Sequence, residues 1–264
     1  MADFTAKDVQ ALRQATGAGM MDAKKALTEA DGDAEAAAKW LRENGLVKAA
    51  GRSDRENSQG AVAVAIADDA AAIVELKSET DFVAKSEQFT ALVQSMADDV
   101  AVDGDAAIDK HKAAVDDLKV TLKENIEIGH VVRVEAVSGH TVDSYVHRQD
   151  GRGVNGVIVD LSGGSAELAH DIAVHIAFTK PTYLQREDVP EAEVAAERET
   201  LTALSKAEGK PEAALGKIVE GRLSGWYAER VLMEQKFVRD EKQTIKAVLG
   251  DAELVRFAQV FIGA

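Results

Sequence analysis

The sequence predicts an α+β protein, and three observations carry that prediction. From Thr5 to Glu43 the periodicity is helical throughout. Twice thereafter, two short β-type runs lead through a sharp turn into an amphipathic helix, at Leu76-Lys77-Ser78 and at Leu161-Ser162-Gly163. A pair of long helical stretches then meets at Gly209-Lys210-Pro211 and reads as a helical hairpin.

The N-terminal stretch is divided by two turn signals, Thr16-Gly17-Ala18-Gly19 and Asp31-Gly32-Asp33, which leave three short helices. Val9, Leu12, Met20, Leu27, Trp40 and Leu41 are the expected core of this module. Asp33 is placed to cap the third helix by accepting backbone N–H bonds, and Asn44-Gly45 is the expected stop. Lys48 to Gln59 mixes Gly, Ser, Asn and both charge signs without an apolar stripe, so it reads as a linker.

Ala61 to Ile66 and Ala72 to Leu76, separated by Asp68-Asp69-Ala70, form an expected hairpin feeding a helix that begins near Asp81 and is striped by Phe89, Leu92, Val93 and Met96. A further helix is expected from Ala106 to about Asn125. Val131 to Val137, Val142 to His147 and Val154 to Leu161 read as three antiparallel strands, followed by a helix from Ala166 to Phe178. Pro190-Glu191 opens the hairpin's first helix, with Val194, Leu201 and Leu204 as a narrow apolar seam, and the second helix returns through Leu215, Ile218, Val219, Leu223 and Trp226. A short helix at Gln243 to Leu249 and a strand from Leu254 to Ile262, rejoining the core sheet, complete the chain. The expected organisation is therefore a helical module at 1–47, a linker at 48–60, a first core subdomain at 61–140 and a second at 141–264, with the hairpin inserted at about 190–228.

Composition narrows the function. A net charge of −15 argues against broad attraction to nucleic-acid phosphates, which relies on Lys and Arg displacing counterions. The absence of cysteine removes disulfides, thiolate nucleophiles and Cys-based metal sites, and fits a reducing compartment. No stretch approaches the length of a membrane span and the acidic start lacks an apolar leader, so the expectation is a soluble, cytoplasmic, unprocessed protein.

Motifs for bond chemistry do not survive their context. Gly151-Arg152-Gly153-Val154-Asn155-Gly156 matches G-x-G-x-x-G, but a strand follows rather than a helix, so a hairpin turn is the expected reading. No phosphate-binding G-x-x-x-x-G-K-[ST] occurs, so the chain itself is expected to bind no nucleotide. His170 and His175 are five residues apart on one expected helix and point in different directions, unlike the i, i+4 pair that converges on zinc. No catalytic constellation, cofactor or metal site is expected.

Two segments carry residues that ordinary packing accommodates poorly. In Thr16-Gly17-Ala18-Gly19-Met20-Met21-Asp22-Ala23-Lys24-Lys25 a tight turn delivers adjacent methionines, and neighbours on a helix cannot share one core stripe. Either both pack around the three-helix core as adaptable filler with Lys24 and Lys25 solvated, or the methionines and lysines form a contact surface for a partner. In Glu79-Thr80-Asp81-Phe82-Val83-Ala84-Lys85, Thr80 or Asp81 is positioned to cap a helix, and Phe82 falls in its first turn. Phe82 is either a staple packed into the core or, held outward by the capped turn, a probe.

These two segments, TGAGMMDAKKAL and ETDFVAK, resemble the signature stretches of the elongation factor Ts family, and SYVH, HIAFTKP, KIVEGRL and EQKFV are further matches. The resemblance runs from end to end: a module like a ubiquitin-associated domain, a two-part α+β core, a coiled-coil hairpin and a C-terminal piece. It implies a non-enzymatic guanine nucleotide exchange factor with elongation factor Tu as partner and no cofactor of its own. The segment Thr80, Asp81, Phe82 and Val83 is implied to reach the partner's magnesium and phosphate site, with Phe82 wedged between helices. Met20, Met21 and Lys24 are implied to dock on the same domain, and His147, beside the SYVH match, is a further partner-contact candidate or a plain strand-end polar residue. The chain departs from the family in having Glu241 where a proline is frequent, and in stopping at Ala264 where some members continue into another helix. The competing readings are a helical binding module attached to an unrelated core, and an acid–base enzyme; a pocket of convergent ionisable groups would mark the latter.

Overall fold

The computed structural model describes residues 4–263; Met1, Ala2, Asp3 and Ala264, the ends of the expected first and last segments, lie outside them. The chain opens with α1 (Ala6–Thr16), α2 (Met20–Glu29) and α3 (Ala34–Ala50). Thr5 and Asp8 form a reciprocal capping box at the start of α1, which stops at Gly17 in the left-handed region, φ 68°. Asp33 caps α3 as expected, its Oδ1 accepting the Ala36 N–H at 2.8 Å. Val9, Leu12, Ala23, Ala26, Leu27 and Ala37 are buried, with Trp40 and Leu41 packed against them. Met20 is not part of this core: as the first residue of α2 it runs past the edge of the alanine-lined contact and is 49% exposed.

The first sheet is built from β1 (Gln59–Ile66) and β2 (Ala70–Ser78), then α4 (Asp81–Ala84), α5 (Glu87–Asp103), a 3-10 turn (Asp105–His111), α6 (Lys112–Leu122) and β3 (Glu127–Glu135). The strand order is β1-β2-β3, antiparallel throughout. The helix expected from Asp81 is interrupted: α4 ends at Ala84, and after Lys85 the extended Ser86 begins α5, which carries the stripe Phe89, Val93 and Met96 onto Ala61, Ala72, Val74 and Leu76.

The second sheet repeats the plan with β4 (His140–Gln149), β5 (Arg152–Ser162), α7 (Ala166–Thr179), the hairpin α8 (Glu191–Ala207) and α9 (Glu212–Arg230), the short strands β6 (Lys236–Phe237) and β7 (Asp240–Thr244), α10 (Ile245–Leu249) and β8 (Glu253–Phe261). Its order is β4-β5-β8, so the last strand does rejoin a core sheet, beside β5. In both sheets a hairpin, a covering helix and a helical excursion precede a third strand that pairs antiparallel with the hairpin's second strand. Of the strands expected at 131–137, 142–147 and 154–161, the first pairs with β2 and the other two with each other, so each sheet takes its strands from its own side of residue 140.

The two sheets meet through Val62, Ala71, Ile73, Val134, Ile158 and Val260. Because α5 or α7 covers the opposite face of each sheet, β2 and β5 are buried on both sides, which explains their nearly unbroken apolar runs. The glycines of Gly151-Arg152-Gly153-Val154-Asn155-Gly156 divide their work here. Gly151, φ 83°, turns the hairpin, while Gly156 lies in β5 where a Cβ would sit 2.8 Å from Val62 Cγ1 and Val64 Cγ2. The motif serves sheet packing.

α3 also departs from expectation. It continues through Asn44-Gly45 to Ala50, into the stretch expected as linker, because Gly45 faces α6: a Cβ there would lie 2.5 Å from Val120 Cγ1. Arg42 pairs with Asp117 at 3.3 Å and Arg52 donates to the Lys119 carbonyl at 2.9 Å along the same seam. In the hairpin, Val194 and Leu201 pack near Leu223, Tyr227 and Val231, but Leu204 of the expected seam is 48% exposed, and Ser205 takes the buried position beside it.

Candidate functional site

The turn from β2 into α4 displays Phe82 at 75% exposure, so the packed alternative for this residue fails. Thr80 is the N-cap, its Oγ1 accepting the Val83 N–H at 3.3 Å, and Val83 packs against the core cluster beneath. The turn is thus anchored by Thr80 and Val83 and points Asp81 and Phe82 outward. Lys85 adds a clamp one helical turn on: its Nζ donates to Asp81 Oδ2 at 3.0 Å and lies 4.5 Å from the centre of the Phe82 ring. The Lys85 hydrogen bond is the main reason that Asp81's pKa lies below the usual carboxylate value, with the charge of Arg152 lowering it further. The site therefore presents an ionised carboxylate beside a bare aromatic ring, on a backbone tied down at both ends.

Met21 is 76% exposed and Met20 is 49% exposed, so both methionines face outward rather than packing around the three-helix core. They follow Gly19, with Lys24 exposed one turn later on the same helix. Lys48 reaches Asp22 at 3.6 Å and so ties the far end of α3 to the start of α2. The start of α2 thus presents to solvent two adjacent exposed methionines, with the exposed Lys24 and Lys25 one turn on.

His147 lies exposed near the end of β4, with the Tyr145 hydroxyl 3.4 Å from its Nδ1. It lines a cleft with Arg152, Asn155, Ala177, Phe178 and Phe261. Arg152, which lines this cleft, also donates to the Gly60 carbonyl at 2.5 Å, and its charge contributes to lowering the Asp81 pKa. The structure thus brings Thr80 to Val83 together in one turn, places His147 in a cleft that also holds Arg152, and carries Met20, Met21 and Lys24 on the separate α2. Of the two helical histidines, His170 pairs with Asp143 at 3.3 Å, whereas His175 is fully buried. His175 Nδ1 accepts the Val238 N–H at 3.3 Å and its Nε2 contacts Gln235 Oε1 at 2.9 Å, an arrangement that fits the neutral ring protonated on Nε2.

Three residues with evident site geometry are not singled out by spacing or periodicity. Phe178, 78% exposed, reads as the end of an apolar helix. Lys85 reads as an ordinary solvated lysine. Glu124 reaches the Thr80 turn from 44 residues away, and no periodicity foreshadows that.

This arrangement coincides with clear kinship. The family profile described as Elongation factor TS matches residues 79–264. The proteins named Elongation factor Ts from Clavibacter michiganensis subsp. michiganensis and Micrococcus luteus are each 44% identical to the chain, with all of both sequences covered. That of Acidothermus cellulolyticus is 46% identical, covering all of this chain and 99% of its own length. The chain belongs to the elongation factor Ts family, a family of translation elongation factors. No helix among the described residues is long and apolar enough to cross a membrane.

Proposed function

We propose that this chain is a cytoplasmic guanine nucleotide exchange factor that makes and breaks no covalent bond: it binds elongation factor Tu carrying GDP and promotes release of the nucleotide, so that GTP can take its place. The observation that supports this most directly is Phe82, an aromatic ring held out in solvent by a capped and clamped turn. Exposing a Phe costs the isolated protein the burial it forgoes, and a partner surface recovers it. Thr80 and Val83 hold the turn, Phe82 wedges between helices of the partner, and the Asp81 carboxylate enters the region of its magnesium and phosphates, where negative charge competes for the cation and repels the nucleotide. Met20, Met21 and Lys24 dock on the same partner domain, and His147 supplies a contact from the second sheet. The chain itself binds neither nucleotide, nucleic acid nor membrane.

Such a factor works by linkage: if it binds the nucleotide-free partner more tightly than the GDP-bound one, GDP and factor weaken each other's affinity by the same ratio. Each tenfold acceleration of release requires about 1.4 kcal/mol of barrier reduction. Burial of one Phe side chain is worth about 1.5–3 kcal/mol, so Phe82 accounts for one to two decades and the rest falls to Asp81 and the wider interface. The test is stopped-flow release of a fluorescent GDP analogue from elongation factor Tu. Wild type accelerates release, and Phe82→Ala lowers the maximal accelerated rate by about 10- to 100-fold. Acceleration that survives Phe82→Ala unchanged discards the wedge; no acceleration by wild type discards the function.

A further inference from the structure

We propose that Glu124 is a positioning residue for nucleotide release, acting through the Phe82 turn without touching the partner; this rests on the exchange reading above. Glu124 follows α6, whose end is turned at Lys123 by a left-handed backbone, φ 61°. One carboxylate oxygen, Oε2, accepts the N–H of Glu79 at 3.0 Å and the N–H of Thr80 at 3.1 Å. The other, Oε1, accepts the Thr80 hydroxyl proton at 2.5 Å. These amides lie just beyond Ser78, the last residue of β2, where the β1–β2 ladder no longer supplies partners.

The hydroxyl bond has a second effect. By taking the Thr80 proton, Glu124 leaves the Thr80 oxygen's lone pairs directed to the Val83 N–H, so one carboxylate sets both the strand exit and the helix cap. Glu124 is itself held in place. The adjacent Asn125 is buried, its N–H donates to Glu79 Oε1 at 2.6 Å, and its side-chain amide donates to the carbonyls of Arg55 at 2.8 Å and Ser53 at 3.2 Å. Segment 123–125 thereby ties the probe turn to the chain leaving α3. Without Glu124, three donors at the base of the turn would bond to mobile water instead, and Phe82 would lose its fixed direction.

A wedge that must enter between helices is sensitive to about an ångström of misplacement, which alone costs as much as 100-fold in rate. The experiment is GDP release from elongation factor Tu measured over a range of factor concentration, for wild type, Glu124→Ala, Glu124→Gln, Phe82→Ala and the double variant Phe82→Ala/Glu124→Ala. We expect Glu124→Ala to lower the maximal rate roughly tenfold while the half-saturating concentration stays within about twofold. Glu124→Gln, whose amide can accept both backbone N–H groups and donate to Thr80, restores the rate to within about threefold of wild type. In the Phe82→Ala background, removing Glu124 costs clearly less than the roughly tenfold it costs with Phe82 present, because only Asp81 remains on the turn to be positioned. An unchanged maximal rate in Glu124→Ala, no rescue by Gln, or an equal loss with and without Phe82 overturns the assignment and leaves the exchange function standing. Failure of wild type to accelerate release overturns the function itself, and the assignment falls with it. If Glu124→Ala does not fold, as read by its thermal unfolding, Thr80→Val takes its place, since it removes the Glu124 hydroxyl bond and the cap together. It must lower the maximal rate in a Phe82-dependent way, or the assignment is overturned.

Discussion

Gly156→Ala tests how the two sheets are held together, and its cost can be worked from the contacts around one atom. The added Cβ would lie 2.8 Å from Val62 Cγ1, 2.8 Å from Val64 Cγ2 and 3.2 Å from Ile73 Cγ2. Carbon atoms pack best at about 3.5–4.0 Å, so two of these contacts are short by about 0.7 Å or more. All three neighbours are β-branched residues in strands, with little freedom to rotate away. The sheets must part instead, and a gap of 0.5–1 Å forfeits a quarter to a half of the dispersion attraction across the Val62, Ile73, Ile158 and Val260 contact. Overpacking of this kind costs about 1–3 kcal/mol, and the stiffer unfolded chain returns about 0.4–1 kcal/mol; with three stiff neighbours the cost falls in the upper part of its range, leaving a net loss of about 1–2 kcal/mol. For a chain of this size that is a fall in Tm of about 2–8 °C by thermal unfolding. Native-state hydrogen exchange of the Val157 to Val159 amides should quicken by about 5- to 30-fold, since these residues open only when the sheets do. Gly216→Ala is the control. Gly216 lies inside α9 with nothing within 4 Å of its would-be Cβ, so alanine there should stabilise by about 0.8–1.0 kcal/mol through helix propensity. A Tm for Gly156→Ala equal to or above that of wild type would show that the sheets are not closely packed at this glycine.

Met21→Ala should leave Tm within the range of an ordinary surface change, about ±0.5 kcal/mol, and weaken binding to elongation factor Tu by about 5- to 10-fold in calorimetric titration; an unchanged affinity removes the methionine patch from the interface. His175 makes stability pH-dependent. Burial pushes its pKa below the ordinary 6.5, with the Gln235 contact opposing only in part. The unfolded chain therefore takes up a proton that the native protein refuses, so this contribution to stability is complete above about pH 6.5 and is lost progressively as pH falls from there toward the depressed native value. The ring resonances of His175 should accordingly titrate with a midpoint below 6.5 in an NMR pH series, and a midpoint above it would contradict the buried neutral ring.

Local patterns carried much of the architecture. Asp33 and Thr80 announce helix starts because a cap is made by the residue itself with N–H groups two or three positions on, and the stripe Phe89, Val93, Met96 declares its buried face by spacing alone. The signature stretches TGAGMMDAKKAL and ETDFVAK also marked the residues that prove exposed. The errors share one cause. Gly45 reads as a helix stop in isolation, but α6 lies against it and rewards the missing side chain, so the helix runs on. Met20 fits the stripe of α2, yet the core ends before reaching it. The interruption at Lys85-Ser86 also escaped, because the apolar spacing continues across it.

What the sequence determined by itself is what neighbours along the chain decide: the helices and their caps, the repeated hairpin-and-helix units, the hairpin turn at Gly209, and the kinship with elongation factor Ts. Only the tertiary structure decided which way Met21 and Phe82 face, that β8 joins the second sheet beside β5, that Gly156 is a packing residue, and that Glu124 reaches back to the Thr80 turn. Exposure, sheet membership and contacts across 44 residues depend on how whole elements stack, and stacking is settled by burial summed over the entire chain, which no local window contains.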